Sequence, residues 1–315
     1  MDIIQVITKE LNVEKWQVEA AVKLIDEGCT IQFISRYRKE ANGSLNDEQL
    51  RTLHERLTYL RNLEEKKNQV LGSIEEQGKL TAELKKQILD AQTLVVVEDL
   101  YRPFRPKRRT RAIIAKEKGL EPLANIIMLQ MTDKPIEEEA QDFVSEEKGV
   151  ETVADAINGA KDIIAEHISD EADYRIYLRK LTMDRGSVVS TAKKPEESSV
   201  YEMYYEFEEP IKKLAGHRVL ALNRGEKEKI LTVKVNAPEE EAMGWLQKQV
   251  ITKENPITKP ILREVVEDSY KRLIAPAIER EIRSDLTEKA EDGAIHVFGK
   301  NLEQLLMQPP IVGQV

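Results

Sequence analysis

The chain has 315 residues, 57 acidic against 48 Lys and Arg side chains, a formal charge of −9, 33% charged residues and only 5% aromatics. That balance argues against a surface that is basic throughout and against an aromatic-rich β-sandwich or doubly wound sheet; it favours a solvent-rich helical body. Cys29 is the only cysteine, which excludes an intrachain disulfide and a Cys-rich zinc site and leads us to expect a reducing, cytoplasmic setting.

Residues 1–44 read as an N-terminal helical part. The first ten residues, MDIIQVITKE, lack the basic-then-apolar order of a signal peptide. The apolar sets Ile3/Ile4/Ile7, Val13/Trp16/Ala20/Leu24 and Ile31/Phe33/Ile34/Tyr37 have helical spacing, and Gly28 and Gly43 supply stops. Three short helices with a tight turn fit a helix-turn-helix or a small bundle.

A long-helix region is expected over 45–180. Asn46 with Gln49 forms a capping-box signature, and Leu50, Leu53, Leu57 and Leu60 mark the seam of a packed helix running to Gly78. Thr81 caps a helix over 82–91, and the run Leu94–Val97 is ambiguous between helix and strand. Pro103 and Pro106 break the chain, so 102–110 reads as a loop and 111–119 as a helix ended by Gly119. The stretch 133–151 is acidic.

A small α+β part follows over 181–257. Val188–Thr191 and Ile230–Val235 favour strands by composition, giving one small sheet. The helical period returns over 258–315, from Leu262 through Ile282 to Leu286, with Pro276 expected to bend or break the helix. The end, QPPIVGQV at 308–315, reads as a linker. The fold class is mainly α: an elongated multi-helix architecture with a helix-turn-helix-like part, long helices and one small β element. No run of about 18 apolar residues spans a membrane.

The sequence holds little catalytic chemistry. Gly72–Lys79 resembles a phosphate loop only superficially: five residues separate its glycines, and Leu80 stands where a Ser or Thr should hold magnesium. His54, His167, His217 and His296 lie far apart with no metal-ligand spacing. Cys29, after a helix-ending glycine, reads as a small apolar residue, not a nucleophile. Neither an enzyme nor a cofactor is expected.

The segment 100-LYRPFRPKRRTRA-112 stands apart. Arg102, Arg105, Lys107, Arg108, Arg109 and Arg111 crowd it with no acid among them, beside Tyr101 and Phe104. Three uses are open. The guanidinium groups can fork onto phosphates, with the aromatics stacking on bases or packing the loop root. The segment can instead dock on the acidic 133–151 stretch or another carboxylate-rich helix. Or it is a solvated loop. Arg36/Arg38/Lys39 and Arg218/Arg224 are further positive spots that can extend a binding surface.

The strings FISRYRKEA at 33–41 and DLYRPFRPKRRT at 99–110 resemble the N-terminal region of the bacterial Tex family of transcription accessory proteins. So do GHR at 216–218, ALNRGE at 221–226, YKRLIAP at 270–276 and ERE at 279–281. The motifs run in family order over nearly the whole chain. The resemblance implies a cytoplasmic, nucleic-acid-binding transcription accessory protein that meets RNA or DNA through phosphates. It further implies that family members continue into an RNase H-like domain, helix-hairpin-helix modules and an OB-fold RNA-binding domain, so this chain is expected to be a scaffold fragment. The alternative is a helical protein–protein scaffold that binds RNA polymerase or another transcription partner. The two differ in salt dependence, which is steep for phosphate contacts.

Overall fold

The computed structural model describes residues 2–308, and the chain divides into two compact units between Arg105 and Pro106. The fold is mainly α with one small antiparallel sheet.

The first unit is all helix: α1 (Ile3–Leu11), α2 (Lys15–Asp26), α3 (Ile31–Tyr37), α4 (Asp47–Glu76), α5 (Ala82–Asp90) and α6 (Leu94–Tyr101). The sequence places its caps. Asp2, Thr30, Asn46, Thr81 and Thr93 each accept a hydrogen bond from a backbone N–H in the first turn that follows. At Asn46 the full capping box forms, with Gln49 reaching back to the Asn46 N–H. The Thr93 cap resolves the ambiguous valine run as helix. Helix α4, at 30 residues, is about 45 Å long and is the spine of the unit. Leu50, Leu53, Leu57, Leu60, Leu63, Val70 and Ile74 along it are buried against the other helices.

One seam position of α4 holds a lysine. Lys67 is 1% exposed, and its Nζ donates to the carbonyl of Leu89 at 2.8 Å and lies 3.3 Å from Glu64 Oε1. Leu89 is in the last turn of α5, where helical carbonyls lack intrahelical partners and a cation is favourable. Lys67 is thus a side-chain cap delivered through the core. Replacing it with methionine keeps the volume and leaves the carbonyl without its donor. Lys67→Met should therefore lower stability by about 1–3 kcal/mol in urea unfolding. An unchanged midpoint would show that the cap contributes nothing.

The second unit centres on α10 (Val153–Asp170), reached through α7 (Arg111–Glu117), α8 (Glu121–Leu129) and α9 (Ile136–Gln141). Its small buried residues Ala156 and Ala160 pack with Ala112 and Ala115 of α7 in one core. Then come α11 (Ala172–Arg185), β1 (Ser187–Ala192), β2 (Glu206–Pro210), α12 (Gly216–Lys227), β3 (Leu231–Asn236) and α13 (Glu239–Val250). The sheet order is β2-β1-β3, both pairings antiparallel, with Val189 opposite Glu208 on one side and Lys234 on the other. Strand β2, EFEEP, was not anticipated. Its three glutamates are poor strand formers, and an edge strand tolerates them because charge there blocks further pairing.

Helix α14 (Thr258–Asp268) leads into a π-helical turn, Ser269–Ile274, and then α15 (Ala275–Leu306). The break considered for Pro276 does not occur: the chain stays helical from Thr258 to Leu306, and its departure from α geometry is the π turn just before the proline. The N–H of Ala275 donates to the carbonyl of Tyr270, five residues back. This wider turn precedes Pro276, which has no amide donor and whose ring would crowd the carbonyl four residues earlier. Helix α15 runs well past Leu286, and its last turns are exposed, with Ile295, Phe298, Leu302 and Leu305 recurring at helical spacing. Apart from Gln308, the expected linker at 308–315 lies outside the described residues.

Candidate nucleic-acid interface

The division between the two units falls inside the basic segment. Arg102 and Arg105 belong to the first unit, and Lys107, Arg108, Arg109 and Arg111 to the second. Pro103 and Pro106 end helical structure between α6 and α7 as their fixed φ requires.

On the first unit, the aromatics pack the loop root. The Tyr101 hydroxyl lies 3.0 Å from Ser73 Oγ, and Gln77 Nε2 donates to the Phe104 carbonyl at 3.0 Å. Both rings sit against the core of that unit, so they are not presented for stacking on bases. Arg102 is half-buried after α6. Arg105 is exposed and makes a long ion pair to Glu98 at 3.8 Å.

On the second unit, Lys107 is the inward-facing cation. Its Nζ pairs with Asp170 and lies 3.6 Å from Glu166 Oε2, both on α10. Those acids continue a row that starts at Asp162, spaced four residues apart and so on one helix face. Burial pushes the Asp162 carboxyl above its ordinary pKa, while the charges of Arg272 and Arg111 pull it back. The intramolecular partner of Lys107 is therefore α10, not the acidic 133–151 stretch. Thr110 caps α7 by accepting from the Ile113 N–H at 3.2 Å, which fixes the exit of the loop. Arg108, Arg109 and Arg111 are exposed around that cap. Arg109 holds Glu117 at 2.8 Å across α7, an exposed pair worth at most about 1 kcal/mol. Arg108 has no ion pair among the described residues.

Of the other positive spots, Arg218 is engaged: it pairs with Glu209 at 2.6 Å and sits 5.9 Å from the Phe207 ring centre. Arg36, in the last turn of α3, and Arg38 and Lys39 just after it are exposed. Sequence spacing placed Phe33 and Tyr37 with the apolar face of that helix, and it placed Trp16 on the apolar face of α2. All three are exposed, and Ile34 of α3 and Val18, Ala21 and Val22 of α2 are the buried residues. A seven-residue helix has only two turns, so a single buried position is enough to dock it. Among the described residues no group of three or more His, Cys, Asp or Glu side chains is arranged to hold a metal, and no helix is long and apolar enough to cross a membrane.

Residues 1–75 match the Tex-like protein N-terminal domain and residues 131–298 the Tex central region-like family. Uncharacterized protein YdcI of Bacillus subtilis (strain 168) is 49% identical over 313 residues, with 98% of this chain and 44% of that protein covered. Transcriptional accessory protein Tex of Neisseria gonorrhoeae is 36% identical, with 98% of this chain and 42% of that protein covered. S1 RNA-binding domain-containing protein 1 of Homo sapiens is 32% identical, with 99% and 33% covered. The chain thus spans less than half the length of these curated relatives.

Proposed function

The chain belongs to the Tex family, and we propose that it serves a cytoplasmic, non-enzymatic transcription accessory protein that binds nucleic acid through phosphates. The observation that carries this reading is the exposed trio Arg108, Arg109 and Arg111 around the start of α7, where among the described residues the one ion pair is the exposed Arg109–Glu117 contact. Planar guanidinium forks suit phosphate oxygens and read no sequence, as an accessory factor acting at many sites requires. The name of the gonococcal relative, a transcriptional accessory protein, supports the same reading. Lys107 then serves as the anchor that fixes the loop on α10, and Arg105 contributes from the other unit only as an exposed cation.

The test is a salt titration of binding by the 315-residue chain to single-stranded RNA and duplex DNA. Replacing Arg108, Arg109 and Arg111 with alanine should weaken binding similarly for every sequence. It should flatten the log–log salt slope by about 0.9 per lost duplex contact, or about 0.7 on a single strand. Lys107→Ala should instead lower stability, because Glu166 and Asp170 lose a cation they share. An unchanged salt slope in the triple variant would sink the phosphate reading.

A second reading has its own observation. The exposed stripe Ile295, Phe298, Leu302 and Leu305 on α15 suits an apolar contact with a protein of the transcription machinery such as RNA polymerase. Such a contact persists at high salt, where phosphate binding is lost.

A further inference from the structure

The surface that follows α3 carries a group of side chains that the fold does not need. Phe33 and Tyr37 lie one turn apart with ring centres 5.4 Å from each other and planes tilted by 42°. They are 38% and 68% exposed. Arg36, Arg38 and Lys39 are exposed beside them, and none of the three has an ion pair among the described residues. The Arg38 guanidinium sits 5.5 Å from the Phe33 ring centre, which extends the aromatic face with a flat cation. Over 33–41 the only carboxylate is Glu40. In a protein of net charge −9, three unpaired cations around two exposed rings are a local reversal of sign.

The turn behind this group is held firmly. Gln17 Nε2 of α2 donates to the Gly43 carbonyl at 2.9 Å, and the buried Asn42 side chain accepts from the Leu45 N–H at 3.2 Å. Gly43 has a positive φ of 65°, and a Cβ there would lie 2.4 Å from Gln17 Nε2 and 2.6 Å from the Trp16 ring. Only glycine permits that approach. The turn that ends the exposed cluster is therefore braced against α2.

Exposed aromatic faces interleaved with unpaired cations match one polyanion best. Duplex DNA hides its base faces within the stack, whereas a single strand offers base faces and phosphates together. We infer that α3 and the turn after it form a second nucleic-acid surface, a stacking platform for single-stranded RNA or DNA. Tyr37 takes the first base, the Phe33–Arg38 pair takes a neighbour, and Arg36 and Lys39 meet the phosphates. This extends the nucleic-acid reading to the other unit, and it does not depend on the 102–111 segment.

The experiment is fluorescence anisotropy of labelled oligo(U), oligo(dT) and a duplex with the 315-residue chain at several salt concentrations. Tyr37→Ala should weaken both single-stranded probes about tenfold, as loss of one base–aromatic stack does, and leave duplex binding unchanged. Tyr37→Phe should restore the affinity. Arg36→Gln with Lys39→Gln should flatten the single-strand salt slope by about 1.4, at about 0.7 per contact. Thermal unfolding checks that each variant keeps its fold. Equal oligonucleotide affinity in wild type and Tyr37→Ala would overturn this inference and assign the face to a protein contact. If the Arg108/Arg109/Arg111 variant still loses affinity in that case, the phosphate reading of the other unit survives. If the wild-type chain binds none of the probes, both readings fall. Response of oligo(U) alone or oligo(dT) alone would support the platform and name its ligand.

Discussion

Glu281→Ala is expected to cost the second unit about 3 kcal/mol, because it removes a carboxylate that a buried guanidinium and its neighbour share. Arg175 of α11 is 0% exposed, and its Nη2 donates to Glu281 Oε1 of α15 at 2.6 Å. Arg179, one turn on, donates to Glu281 Oε2 through Nε at 2.8 Å and Nη2 at 2.7 Å. One carboxylate thus joins two helices through two arginines. Breaking a buried ion pair by removing one partner costs up to about 3–5 kcal/mol. Because Glu281 itself is partly exposed, water offsets some of that, and the lower end applies. Arg175→Met should cost less than Glu281→Ala, since methionine leaves no charge in the interior and Glu281 keeps Arg179. Urea unfolding followed on the second unit distinguishes the two variants. A loss below about 1 kcal/mol for Glu281→Ala would show that the bridge is solvated like a surface pair.

Gly186→Ala should destabilise by about 2–3 kcal/mol for a steric reason. Gly186 ends α11 and starts β1, with its N–H donating to the Thr182 carbonyl at 2.7 Å and its carbonyl accepting from the Ile211 N–H at 3.0 Å. A Cβ at that position would lie 2.5 Å from the Thr182 oxygen and 3.1 Å from the Asn236 oxygen. Both are backbone atoms of packed elements, so relief requires moving the helix end or β3. Overpacking of this kind costs about 1–3 kcal/mol. Thermal unfolding with wild-type stability in Gly186→Ala would mean that the helix end gives way freely.

What the sequence disclosed was the part governed by local rules. Caps at Asn46 and Thr81, breaks at Pro103 and Pro106, and the leucine seam of α4 depend on neighbours a few residues away, so their elements form where expected. Strand β2 was hidden because its glutamates are poor strand formers, and only its place at the sheet edge makes them acceptable. Lys67 was hidden for the opposite reason: a lysine in a charged helix looks solvated until α5 is seen to aim a carbonyl at it. At the candidate interface the crowding of cations was plain from composition. Their separation was not, because Lys107 finds its acids 59 and 63 residues away on α10, a distance in sequence that no local pattern reports. The exposure of Phe33 and Tyr37 was likewise not legible, since helical spacing alone does not say which turn of a short helix docks.

The π turn before Pro276 has a consequence for the spacing of the sequence on either side. Stepping from Leu262 at 3.6 residues per turn would bring positions near 273, 276 and 280 to the core. The buried residues are instead Ile274, Ala277, Ile278 and Ile282. The apolar rhythm of α15 is thus out of phase with that of α14 by about one residue, an angle of about 100°. The wide turn absorbs the difference. Two stretches that would diverge on an unbroken helix both face the same core. A one-residue deletion within 269–274 would move every later residue back by one position and let the turn close as regular α-helix. Ile278 and Ile282 would then still face the core, because the turn amounts to one residue inserted into a helix of otherwise constant phase. The insertion is taken up where it stands, as slack in a rope is taken up by a single loop, and nothing beyond it is rotated.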